Sequence, residues 1–158
     1  MDKRVILVRG ISGSGKSTLV GKLKEACAVA TDNIRVCSSD NFFIVNGEYK
    51  FDATKLAQAH SQCFSFFLHA LDCKMDVVFV DNTFVRNWEL ENYIQAARLR
   101  GYEILIYEVR VNTVQEMRIC AERNVHNVPR EVIARMAMDF EDVDSQYQVK
   151  LVTTQMTL

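Results

Sequence analysis

Nine consecutive residues, Gly10-Ile11-Ser12-Gly13-Ser14-Gly15-Lys16-Ser17-Thr18, combine glycines, small hydroxyls and a lysine at spacings that suit phosphate oxygens. The first eight fit the pattern G-x-x-x-x-G-K-[ST]. Glycines let the main chain curl so that successive N–H groups point inward, and a helix starting near Lys16 adds its positive end. Lys16 would reach the β- and γ-phosphates of a nucleoside triphosphate, and the Ser17 hydroxyl would sit on Mg²⁺. Gly10, Ser12, Gly13, Ser14, Gly15, Lys16, Ser17 and Thr18 are thus the expected triphosphate-binding set.

Two carboxylates and a group of arginines could complete such a site. Asp40 closes a short apolar stretch and could take the proton of an attacking hydroxyl. Capping a turn is the equally open alternative for it. Asp81 ends the run Val77-Val78-Phe79-Val80 and could hold Mg²⁺ directly or through water; otherwise it simply closes a buried strand. Arg110, Arg118, Arg123, Arg130 and Arg135 punctuate residues 110–135, with His126 among them. An arginine from such a segment could stabilise charge on a transferring phosphoryl group, and one functional arginine is expected there. Trp88 and the phenylalanines of 64–67 read as core, and His60 and His69 as semi-buried helix residues.

These residues need elements to position them. Residues 4–9 predict a strand, 16–29 a helix, and Ile34 to Cys37 a second strand. Asn46-Gly47 between β-prone neighbours predicts a hairpin flap, and an acceptor pocket is expected between it and Asp40. Apolar residues at helical spacing follow from Asp52, a plausible cap, to about Cys73. Strand 77–80, helix 88–99 and strand 104–109 come next. Thr113-Val114-Gln115-Glu116 is a capping box for a helix of about ten residues. Pro129 reads as the first residue of a last helix reaching roughly Tyr147. Alternating strands and helices imply an α/β fold whose parallel sheet carries helices on both faces. Gly10, Asp40 and Asp81 then gather at the carboxyl ends of the strands, where open α/β sheets bind ligands.

The whole chain sets outer bounds. Its 158 residues suit one domain, and 49% apolar content supplies a core. A formal net charge of −1 mildly disfavours a large non-specific nucleic-acid surface. Five scattered cysteines, none in C-x-x-C spacing, suggest reduced thiols rather than zinc or disulfides. A strand almost at the first residue leaves no room for a signal peptide, and no apolar run is long enough for a membrane span. A cytoplasmic protein is expected.

Four stretches together resemble a known family: Gly10–Thr18; Ser38-Ser39-Asp40-Asn41-Phe42; Val80-Asp81-Asn82-Thr83; and Glu122-Arg123-Asn124 followed by Val128-Pro129. They resemble the P-loop kinases of the phage-type 5′-polynucleotide kinase family, and most of all its branch with the kinase domain of NEDD-four-binding proteins. Tyr49-Lys50-Phe51, Ala59-His60 and Trp88-Glu89 add to the likeness, which covers about residues 4–140. It implies a P-loop NTPase three-layer sandwich with a mostly parallel central sheet, a helical lid at about 118–135, and a single kinase domain over 1–158. It also implies ATP and Mg²⁺ as cofactors, with Lys16, Asp40 and Arg123 catalytic, Ser17 on the metal, and Asp81 and Thr83 in a motif lining the site. Asn41, Phe43, Thr83 and His60 would line the acceptor. Phe43 stands where the polynucleotide kinases carry a phosphate-gripping arginine, and Asn41 replaces an aspartate.

The expected function is transfer of the ATP γ-phosphate to a hydroxyl, foremost the 5′-hydroxyl of a nucleic-acid end. A small-molecule or hydroxymethylated-base acceptor, and an ATP-binding switch that is no kinase, are the alternatives. No Asn-Lys-x-Asp run is present, which favours ATP over GTP.

Overall fold

The computed structural model describes residues 2–124, 126 and 128–153. Val5–Val8 and Val77–Val80 are apolar at every position, the composition of strands covered on both faces. They make up most of β1 (Arg4–Arg9) and β5 (Val77–Asp81). With β2 (Ile34–Cys37), β6 (Glu103–Arg110) and β7 (Val149–Thr153) they build a five-stranded sheet in the order β2-β5-β1-β6-β7. Every pairing in it is parallel.

Alternation along the strands sorts the two faces. Ile6, Val8, Val77 and Phe79 pack with Val20 of α1 (Lys16–Ala28). Val5, Leu7, Val78 and Val80 face the other way, onto Phe67 and Leu71 of α2 (Leu56–Asp72) and Leu90 and Ile94 of α3 (Asn87–Leu99). A third cluster, Ile11, Cys120 and Ile133, joins the phosphate loop to α4 (Val114–Arg123) and α5 (Arg130–Asp139). The Thr113 hydroxyl accepts from the Glu116 N–H, so the expected cap starts α4.

The flap is present. Ile44–Val45 (β3) and Glu48–Tyr49 (β4) pair antiparallel across Asn46 and Gly47, both at positive φ, as a two-residue hairpin requires. Asp52 caps a single 3₁₀ turn, Ala53–Lys55, that leads into α2 rather than opening it directly.

Four expectations need correction. The last helix ends at Asp139, not near Tyr147, and Pro129 is its cap rather than its first residue. Phe140 turns extended so that its ring stacks under the Arg9 guanidinium at 3.9 Å, and the Glu141 N–H bonds the Val85 carbonyl. Those tertiary contacts stop the helix, and the chain returns as the unforeseen strand β7. Trp88 is 69% exposed, because it lies on the opposite side of α3 from Leu90, Ile94 and Ala97. Phe66 is also exposed, while Phe67 alone of that run is fully buried.

Candidate active site

The loop after β1 is held from two sides. The Gly10 N–H bonds the Thr83 carbonyl at 3.3 Å, and the Lys16 ammonium donates to the Ile11 carbonyl at 3.2 Å. Gly13, at φ +78°, lies so near α4 that a Cβ there would overlap the Cys120 carbonyl. The Ser14 hydroxyl is buried without a hydrogen-bond partner among the described residues. A buried orphan hydroxyl in a glycine-rich loop at the start of a helix is suited to an anionic ligand.

Asp81 is fixed by sheet register, since Val8 pairs with it directly before the loop. The Ser17 hydroxyl donates to Asp81 Oδ2 at 2.9 Å. Burial pushes the Asp81 carboxyl up from its ordinary value, against the pull of Lys16 and the Ser17 hydrogen bond. Burial likewise pulls the Lys16 ammonium down, while the charges of Asp81 and Asp40 oppose that. One hydroxyl and one carboxylate form a hard, oxygen-only pair, fitting a Mg²⁺ that keeps waters and takes phosphate oxygens. Among the described residues no cluster of three or more His, Cys, Asp or Glu could hold a metal alone.

Asp40 sits in the 3₁₀ turn Ser39–Phe43 beyond β2. Ser38, not Asp40, supplies the cap, its hydroxyl accepting from the Asp40 N–H. The carboxylate is therefore not spent on capping its own turn. The Tyr49 hydroxyl donates to Oδ1 at 3.2 Å, and His126 Nε2 lies 3.6 Å from Oδ2. The two rings stack at 4.0 Å. They fill the place where an acceptor pocket was expected between Asp40 and the flap.

The other expected residues have distinct places. Arg123, at the end of α4, reaches to 3.5 Å of the Ser14 carbonyl and so meets the loop. His60 is exposed on α2 and shares a 2.8 Å hydrogen bond with the Ser39 hydroxyl, next to Asp40. Asn41 is exposed, its N–H donating to the Ser38 carbonyl. Thr83 holds Gly10 through its carbonyl. Phe43 is 3% exposed and packs on Phe42, Tyr49 and Phe51, so it carries the flap instead of facing an acceptor. Ser12 and Thr18 lie on the loop and the first turn of α1. A cavity of about 100 Å³ adjoins the loop between Thr18, Arg123 and Val152.

Five residues were not assigned a place in the site from sequence. Asn82 accepts from the Ser39 N–H at 2.9 Å and ties the Asp40 turn to the end of β5. Tyr49 and His126 meet Asp40 from segments far apart in the chain. Behind the loop, Arg9 and Glu108 form a fully buried pair at 2.6 Å, with Arg9 also donating to the Phe84 carbonyl. Opposite charges ending two apolar strands were the available signal for that pair.

Residues 5–143 match the family described as AAA domain (AAA_33). NEDD4-binding protein 2 of Homo sapiens is 32% identical over 139 residues, which is 87% of this chain and 8% of that protein. A protein of Autographa californica nuclear polyhedrosis virus, provisionally named a bifunctional polynucleotide kinase/RNA ligase, is 29% identical over 128 residues. That match covers 73% of this chain and 18% of the viral protein, so the chain spans less than a fifth of either curated relative. In fold, the gluconokinase of Sinorhizobium meliloti 1021 is similar at a TM-score of 0.63 and 15% identity, over 98% of this chain and 84% of that one. With the phosphate loop, the parallel sheet and a family match over most of its length, this chain belongs to the AAA_33 family of P-loop kinase domains.

Proposed function

We propose that the chain is an ATP- and Mg²⁺-dependent kinase whose acceptor is a hydroxyl, foremost the 5′-hydroxyl of a polynucleotide. The observation that carries this reading is the convergence of Asp40 and Asp81 on one lysine. Asp81 bonds Ser17 of the phosphate loop at 2.9 Å, and Asp40, free of capping duty, is near enough for its charge, like that of Asp81, to favour the Lys16 ammonium. Ser17 and Asp81 would hold Mg²⁺, which when bound draws charge from the β- and γ-phosphate oxygens. Asp40 would accept the proton of the acceptor hydroxyl. That oxygen then bonds to the γ-phosphorus as the β,γ-bridging bond breaks and ADP leaves. Lys16 and Arg123 would stabilise the transferring oxygens, with α4 and α5 serving as the lid. Asn41, Thr83 and His60 would border the acceptor through the Asp40 turn, and the cavity beside Thr18 and Arg123 would take the base.

The viral relative's name supports a polynucleotide acceptor. A small-molecule hydroxyl is the second reading, favoured by the burial of Phe43 where an arginine would grip a strand phosphate. The test is transfer of labelled γ-phosphate to 5′-OH DNA and RNA, hydroxymethylated-base DNA, nucleosides and sugars. Wild type should label a 5′-OH strand. Asp40→Asn should bind ATP as before and lose transfer by about 10²–10⁴-fold, the contribution of a general base. Absence of acceptor-dependent ADP release on every panel would leave a nucleotide-binding switch instead.

A further inference from the structure

Asp40 is half exposed, yet both of its carboxylate oxygens face a protein group. Tyr49 comes from the flap strand β4, and His126 from the connection between α4 and α5. Their rings stack at 4.0 Å with 37° between planes, so flap and helical pair meet through these two side chains directly over the carboxylate.

The two contacts are unequal. The Tyr49 hydroxyl lies at 3.2 Å, within hydrogen-bond range, whereas 3.6 Å from His126 Nε2 is an ion-pair distance outside it. The other imidazole nitrogen of His126, Nδ1, is buried without a partner among the described residues. An imidazole lacking that second bond has no hydrogen bond to fix its tautomer, and only ring packing on Tyr49 holds it in place. Tyr49 is therefore the firm partner and His126 the replaceable one. A general base needs one oxygen within about 2.6–3.2 Å of the hydroxyl it serves. Oδ2 is the oxygen that can be given up.

We propose that His126 holds the place of the acceptor at Asp40 Oδ2 until the acceptor arrives, while Tyr49 stays on Oδ1 and fixes the carboxylate orientation. This rests on the kinase reading above. His126 is then a specificity-determining residue, keeping water from the base when no acceptor is bound. Tyr49 is a positioning residue. Burial and the adjacent Asp40 charge both push the Tyr49 phenol up, which keeps it a donor throughout the pH range of activity.

The experiment has two arms on the full chain. In the first, ADP release is followed with and without a 5′-OH oligonucleotide. His126→Ala should raise acceptor-independent hydrolysis about fivefold and lower the KM for the oligonucleotide, because the competing side chain is gone. His126→Gln, which can still reach the carboxylate, should fall between. Tyr49→Phe should lower kcat for transfer about tenfold with KM for ATP preserved, the mark of an interaction made in the transition state. Loss of hydrolysis and transfer together in His126→Ala, or an unchanged kcat in Tyr49→Phe, would overturn the proposal.

The second arm needs no turnover. Ring-to-ring NOEs between Tyr49 and His126 should be present in the free protein. The His126 ring resonances should shift in Asp40→Asn. If they do not move, no such clamp exists in solution. If wild type phosphorylates no acceptor while the resonances do shift, the kinase reading fails and the side-chain cluster stands as structure only.

Discussion

The two ends of the candidate site are built by different means. The donor end is an extension of the sheet. Asp81 and the loop leave adjacent strands one register step apart, and Val5, Val8, Val78 and Val80 beneath them are wholly buried. The acceptor end has no such floor. Asp40 rides on a single 3₁₀ turn, steadied by Asn82 and His60 through Ser39 and approached by a hairpin with two residues per strand. Asp81 is tied to the strand before the loop by main-chain ladder bonds, whereas Asp40 meets Tyr49 and His126 through side chains. On the proposed reading, phosphate-binding residues thus lie where change is costly, and the residues around Asp40 lie on exposed segments that can vary without disturbing the core.

The contrast can be broken most directly at Lys16. Lys16→Ala should lower phosphoryl transfer by about 10³-fold, as expected for a preorganised charge at the transferring group. The Tyr49–His126 NOEs should survive it, since the acceptor end does not depend on the loop lysine. A stability experiment comes next. Arg9→Leu should cost about 3 kcal/mol in denaturant unfolding, because Glu108 Oε1 and the Phe84 carbonyl would stay buried without their donor, Arg110 holding only Oε2 of Glu108. Arg9→Leu with Glu108→Leu should cost much less than two such losses. Tyr49→Phe, by contrast, should move stability by less than about 1 kcal/mol. Equal costs at the two ends would remove the distinction.

The mildest test concerns the thiol under the Asp40 turn. Burial pushes Cys37 up from 9.0 to about 12. Between those values the folded protein holds the proton more firmly than the unfolded chain does. The thiol's contribution is therefore complete below pH 9.0 and declines as pH rises toward about 12. Unfolding midpoints should fall in that window, and Cys37→Val should flatten the slope.

The donor end was legible because its signals are local. Gly10–Thr18 and the apolar strand that ends at Asp81 each stand within ten residues of sequence. The hairpin was legible for the same reason, as Asn46-Gly47 names its own turn. What could not be read depends on contacts between distant segments. Nothing in residues 136–147 announces a helix end at Asp139, for no glycine or proline lies there, and the stop comes from Arg9 and Val85. β7 is a short edge strand with polar residues among its valines, and its periodicity is weak without β6 beside it. Tyr49 and His126 carry no motif that joins them; only the folded chain brings both to Asp40.

The contact between Gly13 and Cys120 bears on exchanging such loops between proteins. The general phosphate-loop pattern leaves the fourth position open to any residue. In this chain it is closed, because any side chain there meets the main chain of α4. A loop transplanted with a non-glycine residue at position 13 would satisfy the pattern and still unseat the helix that bears Arg123. Compatibility of a donor loop here is decided by one carbonyl on a neighbouring helix, beyond anything the loop's own letters record.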